Sequence, residues 1–129
     1  MNLIEIFSII IIHWIADFIF QDEKWALGKS KNWSDLLNHT LTYSFITWFC
    51  WSFLLTGKGN LIGLYVFIST FIFHTITDYF TSRIVSKKFE KQEYGSSIPN
   101  LGAFTIIGFD QVLHYIQLFL TYYLLVKWQ

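Results

Sequence analysis

The chain of 129 residues has little charge: Asp, Glu, Lys and Arg make up 14% of it, whereas a soluble domain carries about 25%. Its nine basic and nine acidic residues balance, and a net charge of zero argues against nucleic acid as a partner. Its one cysteine, Cys50, excludes an intramolecular disulfide. The sequence also has neither a glycine-rich phosphate loop nor a nucleophile elbow.

Hydrophobic residues make up 53% of the chain and aromatic residues 21%, and the mean hydropathy is +0.43. Runs long enough to cross a bilayer lie at about residues 3–21, 36–56, 61–82 and 103–126. They predict one polytopic membrane domain over residues 1–129, with an all-α fold: a four-helix transmembrane bundle made of two helical hairpins. The first run lacks a basic start and a small-residue cleavage site, so it is predicted to be a retained helix rather than a signal peptide.

Basic residues are concentrated in the two long connectors between these runs. Seven lie there: Lys24, Lys29, Lys31, Arg83, Lys87, Lys88 and Lys91. The short connector "GKGN", residues 57–60, predicts a tight turn, and only Lys58 and Lys127 lie on that side. The positive-inside rule therefore predicts cytoplasmic long connectors and outside termini, in the inner or cell membrane of a bacterium.

Each of the four histidines has an aspartate four positions away. The order is His then Asp in the first and third runs, and Asp then His in the second and fourth. The pairs are His13 with Asp17, Asp35 with His39, His74 with Asp78, and Asp110 with His114. Because alternate runs cross in opposite directions, the reversal predicts a tier of histidines with a tier of aspartates on its cytoplasmic side.

The negative charges of the aspartates inside these runs need a compensating group. An aspartate at the centre of a membrane helix costs about 2.5–3.5 kcal/mol, and a bound cation would offset that cost. Residues four apart share a helical face, and imidazole with carboxylate suits zinc, with manganese or iron as alternatives. The predicted metal ligands are His13, Asp17, His39, His74, Asp78, Asp110 and His114. Two other interpretations stay open: passage of protons or ions, and a polar clasp that holds the helices together.

Four segments, "HWIADFIFQ", "LLNHTLTYSF", "HTITDYFTSR" and "GFDQVLHYIQL", resemble a family of small, uncharacterised bacterial and phage membrane proteins, a domain of unknown function. The resemblance covers roughly residues 7–120 and includes the motifs H-x-x-x-D-F-x-x-Q and D-Q-x-x-H. The family pattern falls on His13, Asp17, Gln21, Lys29, His39, His74, Asp78, Asp110, Gln111 and His114, and it leaves the role of Asp35 open. The family is similar in style to small integral-membrane, metal-dependent hydrolases, and this similarity suggests that reaction class.

The leading prediction is a metal-dependent hydrolase that opens to the cytoplasmic leaflet and acts on a lipid or lipid-linked substrate. Asp110 or Asp78 would act as the general base. Three further side chains are predicted to bind beside the metal or to an anionic group: Gln21, Gln111 and Lys29. The alternatives are a carrier or channel for divalent cations or protons, and a structural or phage-encoded interaction protein. A homo-oligomer also stays open.

The predicted topology can be tested by cysteine labelling. In a Cys50→Ser background, Lys31→Cys and Lys88→Cys should react with a membrane-impermeant maleimide only from the cytoplasmic side, because the basic connectors are retained there. Lys58→Cys should react only from outside. Labelling of intact cells and of inverted membrane vesicles measures both. The opposite pattern would place the opening of the predicted site on the outer face.

Overall fold

The computed structural model describes residues 1–54, 60–95 and 101–127, and within these ranges the chain is helical with no strand. The helices are α1 Leu3–Trp14, α2 Glu23–Gly28, α3 Trp33–Leu54, α4 Asn60–Glu90 and α5 Ala103–Lys127, and a π-helical turn, Ile15–Ile19, follows α1 directly. The predicted all-α class is confirmed for these residues. The predicted turn at 57–60, including Lys58, lies outside the described residues except for Asn60.

Helix α2, in the first long connector, is held against the start of α3. Asn32 caps α3, since its Oδ1 accepts from the Asp35 N–H at 2.8 Å and its amide donates to the Asp35 carboxylate. Gly28, the last residue of α2, packs so closely on this carboxylate that an added Cβ would overlap it. Lys29 follows Gly28 directly, so the close packing of α2 on α3 fixes the position of the Lys29 backbone.

The four longer helices pack around a shared interior. Helix α3 contacts α4, α4 contacts α5, and α1 contacts both α3 and α5. One zone of the interior is an apolar cluster, here named the apolar plug: Ile9, Trp51, Val66, Leu118 and Tyr122. The adjacent zone is polar and buried, and it contains His13, Asp17, His39, His74, Asp78, Asp110 and His114.

The order of the two zones reverses between helices. The plug residue precedes the buried histidine on α1 and α4, and it follows the histidine on α3 and α5. Helices α1 and α4 therefore run opposite to α3 and α5, and the plug lies on one side of the polar zone.

The outer surface of the helices is apolar. Ile4 is 76% exposed, Phe53 65%, Phe80 60% and Phe104 61%, whereas a helix of a soluble protein turns its apolar face inward. Two segments, Ile62–Glu90 and Ala103–Leu125, are long and apolar enough to cross a membrane, which favours membrane association. Helix α1 has only 12 residues before the π-helical turn, and crossing by the first two runs remains a prediction.

Gly28→Ala should destabilise the chain, because the added Cβ would overlap a carboxylate that Asn32 holds in place. Overpacking of this kind costs about 1–3 kcal/mol. Gly108→Ala is the matched control, since nothing lies within 4 Å of its added Cβ and alanine favours a helix interior by about 0.8–1.0 kcal/mol over glycine. The melting temperature in detergent should fall for the first variant and hold or rise for the second. Unchanged melting of Gly28→Ala would contradict close packing of α2 on α3.

Candidate metal centre

Four buried side chains from the π-helical turn, α3 and α4 converge on one point. The Nε2 of His39 lies 3.2 Å from Asp17 Oδ1 and 3.0 Å from Asp78 Oδ2. The Nε2 of His74 lies 3.4 Å from Asp17 Oδ1, 3.6 Å from Asp78 Oδ2 and 3.2 Å from His39 Nε2. We call Asp17, His39, His74 and Asp78 the first ligand group.

Helix α5 adds two more side chains to this cluster. The Nε2 of His114 lies 3.3 Å from Asp78 Oδ1 and 3.4 Å from Asp110 Oδ2, and these three residues form the second ligand group. Asp78 therefore offers Oδ2 to the first group and Oδ1 to the second. A carboxylate shared in this way is suited to bridging two ions, as inward-facing carboxylates do in di-metal helix bundles.

The spacing of these atoms distinguishes hydrogen bonding from metal ligation. Hydrogen bonds to nitrogen are usually about 2.7–3.2 Å long. Two ligands that are each about 2.0–2.1 Å from one tetrahedral zinc ion lie about 3.3 Å apart. Three of the seven separations, at 3.0–3.2 Å, lie within hydrogen-bond length. The other four, at 3.3–3.6 Å, exceed it and suit ligands of a shared ion.

The balance of charge supports the same interpretation. Among the described residues, the cluster brings three carboxylates, Asp17, Asp78 and Asp110, to one lysine, and Lys29 Nζ lies 2.8 Å from Asp78 Oδ2. Burial alone would lower the pKa of the Lys29 ammonium, but Asp78 and Asp17 outweigh burial and raise that pKa above its ordinary value. Lys29 is therefore charged. With neutral histidines, the form that binds metal, the two negative charges that remain would be neutralised by one divalent cation.

His13, a predicted ligand, lies beside the ligand groups rather than in them. Its Nδ1 accepts from the Tyr43 hydroxyl at 2.9 Å, and its Nε2 donates to Gln111 Oε1 at 2.8 Å. The Gln111 amide donates in turn to Asp110 Oδ2 at 3.1 Å and to Asp17 Oδ2 at 3.4 Å. Both nitrogens of His13 are engaged, so this residue orients the glutamine that bridges two carboxylates.

Asp35 and Gln21 also lie apart from the two groups. The Asp35 carboxylate is bound by Asn32 at the start of α3, and His39 contacts Asp17 and Asp78 instead of its own i−4 aspartate. Gln21 lines a pocket beside the cluster, and its Oε1 has no hydrogen-bond partner among the described residues.

The sequence did not indicate a role for Tyr43 in the site, and for Thr81 it left open a bond to the helix backbone or a place in the site. The Tyr43 ring stacks on His74 with centroids 3.8 Å apart, and His74 stacks on His114 at 4.0 Å. The Thr81 hydroxyl donates to Asp110 Oδ1 at 2.6 Å. A signal for Tyr43 was available, because it lies four residues after His39 and therefore shares its helical face.

The π-helical turn positions Asp17. The Phe20 N–H bonds to the Ile15 carbonyl, five residues back, at 3.0 Å, and turns of this kind are frequent at functional sites. The wider turn changes the direction of the side chains that follow α1. Asp17 lies 3.9 Å from His13 Nε2 but closer to His39 and His74.

The family described as "Protein of unknown function (DUF3307)" matches residues 6–129. The chain belongs to this family. Its predicted membership of an uncharacterised family is therefore confirmed. No curated protein and no solved structure matches this DUF3307 chain, and the family description assigns it no activity.

Asp78→Asn should remove the bound metal, because it replaces the carboxylate shared by both ligand groups with a neutral amide. Asp35→Asn is the matched control: Asp35 is also buried and four residues from a histidine, yet its carboxylate accepts from the side chain of Asn32 at the start of α3. This control should keep its metal and lose only about 0.3–1 kcal/mol of favourable charge at the helix start. Elemental analysis and melting temperature, with and without chelator, measure both effects.

A polar clasp without metal makes the opposite prediction for Asp78→Asn. Neutralising a carboxylate in such a clasp removes the cost of burying a charge. The variant would then melt at or above the wild-type temperature, and chelator would change neither protein. This result would exclude the metal centre.

Proposed function

We propose that the chain is an integral membrane protein with four spans at about residues 3–21, 36–56, 61–82 and 103–126, arranged as two hairpins. The long basic connectors are cytoplasmic and both termini are outside, in agreement with the positive-inside rule. Exposed aromatic and aliphatic side chains around a buried polar zone support this proposal, because ionisable residues in membrane spans face the interior of the bundle and leave an apolar surface to the lipid.

The polar zone of this protein holds about one or two divalent ions per chain, with zinc first and manganese or iron as alternatives. The observation that carries this proposal is the separation of 3.0–3.6 Å between ligand atoms of the two groups. The ligands are Asp17, His39, His74, Asp78, Asp110 and His114. His13 and Gln111 support them through hydrogen bonds.

The reaction class that fits this site is hydrolysis. A zinc ion would polarise a carbonyl or phosphoryl oxygen and lower the pKa of a water toward about 7. Asp110 would accept the proton of that water, because only its Oδ2 belongs to a ligand group, while its Oδ1, held by Thr81, lies outside both groups. Asp78 has an oxygen in each ligand group, so it acts as a ligand.

The substrate reaches the site through the pocket beside the cluster, which has a volume of about 530 Å³ and is lined by Asp17, Asp78 and Asp110. Lys29, Lys31 and the end of α4 line the same pocket, so it opens toward the basic connectors. A lipid or lipid-linked substrate could enter it from the cytoplasmic leaflet.

A carrier or channel for divalent cations or protons is the alternative, and the apolar plug counts against it. The plug closes the interior on the side of the polar zone opposite to the pocket. An ion that entered from the pocket would meet Ile9, Val66 and Leu118 beyond the histidines. A structural or interaction protein would not require a converging set of ligand atoms.

Hydrolysis can be detected with heavy-oxygen water. Metal-loaded protein in nanodiscs of bacterial lipids should form products that contain the heavy oxygen, because hydrolysis transfers the oxygen of water to one product. Asp110→Asn should lower the rate of incorporation about 100-fold or more, the scale of a lost general base. Asp35→Asn should leave this rate unchanged. Mass spectrometry of the extracted lipids measures the incorporation.

Metal-loaded protein that incorporates no more heavy oxygen than empty nanodiscs would contradict the hydrolase. Zinc uptake into proteoliposomes by the same preparation, measured with an enclosed zinc-sensitive dye, would then favour the carrier.

A further inference from the structure

The pocket beside the metal centre, here named the lysine pocket, combines an apolar wall with a cationic rim. Phe18, Leu27 and Phe89 contribute apolar surface, while Lys29 and Lys31 contribute positive charge. Its volume of about 530 Å³ lies within the usual range for small-molecule sites, about 300–1,000 Å³. A ligand that fills this pocket must therefore be amphiphilic.

Two polar side chains of this pocket have unused hydrogen-bonding capacity. Ser82 Oγ and Gln21 Oε1 have no hydrogen-bond partner among the described residues, although both atoms are buried. Buried polar atoms are nearly always hydrogen-bonded in folded proteins. Together with the hydroxyl of Ser86 in the same wall, they indicate that a polar group of a ligand belongs there.

The charge of the lysine pocket depends on metal. With the histidines of the cluster counted as neutral, its two lysines and three aspartates, Asp17, Asp78 and Asp110, leave one negative charge in excess without metal, which disfavours an anion. One divalent ion reverses this excess to one positive charge. An anionic ligand is therefore favoured only after metal has bound.

Lys29 is placed to exchange its partner when metal binds. Its Nζ donates to Asp78 Oδ2 at 2.8 Å and lies 3.4 Å from His39 Nε2. These two acceptor atoms belong to the first ligand group, so a metal ion there would occupy the lone pairs that Lys29 uses and would repel its charge. The flexible four-carbon stem of lysine lets the ammonium turn from Asp78 to the pocket.

From these features we infer that the lysine pocket binds a phosphate-bearing lipid, with the phosphate between the metal centre and Lys29 and the lipid chains against Phe18 and Phe89. Ser82 donates to the phosphate. This inference rests on the proposed function, because the pocket accepts an anion only when metal is bound. A neutral ester or amide would leave the Lys29 ammonium without an anionic partner once metal has displaced it from Asp78.

The test is calorimetric titration of the detergent-solubilised full chain with short-chain phosphatidic acid, with zinc bound and after chelation. Zinc should strengthen binding at least tenfold, because it reverses the charge of the pocket. Inorganic phosphate should bind at least tenfold more weakly than phosphatidic acid, since it lacks the apolar part. Zinc content is measured on the same samples.

Variants of Lys29 locate the phosphate. Lys29→Gln should weaken binding of phosphatidic acid at least tenfold while zinc content stays at the wild-type level, and Lys29→Arg should preserve most of the binding. Lys24→Gln is the matched control, because Lys24 is exposed and does not line the pocket. Ser82→Ala is a second test that leaves the Lys29–Asp78 ion pair intact, and it should weaken binding severalfold.

The outcomes separate this inference from the proposed function. Equal binding of phosphatidic acid by wild type and Lys29→Gln, with zinc in both, would overturn the inference and leave the metal centre in place. Loss of zinc from Lys29→Gln would overturn it as well, because Lys29 would then support the metal. Equal affinity for inorganic phosphate would overturn the lipid part. A wild-type chain without zinc would reject the proposed function itself.

Discussion

Three buried carboxylates repel one another, and the rest of the molecule must offset this repulsion. Asp17, Asp78 and Asp110 share one small polar zone, and two like charges about 4 Å apart repel by about 4 kcal/mol at an effective dielectric constant of 20. Such a cluster persists only if nearby groups offset the repulsion. The ammonium of Lys29 and the donors on Gln111 and Thr81 do part of this, and the proposed divalent cation would complete the balance.

The connectors and helix ends contribute to this balance as much as the long helices do. Helix α2 is short, yet its close packing on the start of α3 brings Lys29 to a carboxylate on α4. The π-helical turn brings Asp17 to histidines on two other helices. The supporting layer then extends through Gln111 and His13 to Tyr43, so the ligand atoms are held from several sides.

The spacing of His and Asp along the sequence predicted which side chains share a face and that they would lie at similar depth. It did not predict partners across helices, because a period of four describes one helix at a time. His39 thus pairs with aspartates of the π-helical turn and α4, while Asp35 is bound by Asn32, which caps its own helix. Asn32, three residues before Asp35, was the local signal for that cap. The π-helical turn depends on packing with other helices, and so do the two hydrogen bonds of the His13 ring. No single segment of the sequence specifies such packing.

The apolar plug would determine where along the protein the membrane potential falls. In the proposed orientation, water in the lysine pocket stays at the cytoplasmic potential, and the potential falls mainly across the plug, where Ile9, Trp51 and Val66 exclude water. Moving one charge across the whole membrane field is worth about 2.3 kcal/mol per 100 mV. An ion that enters from the pocket would cross little of this field, so binding of the proposed metal would be almost independent of how strongly the cell membrane is energised.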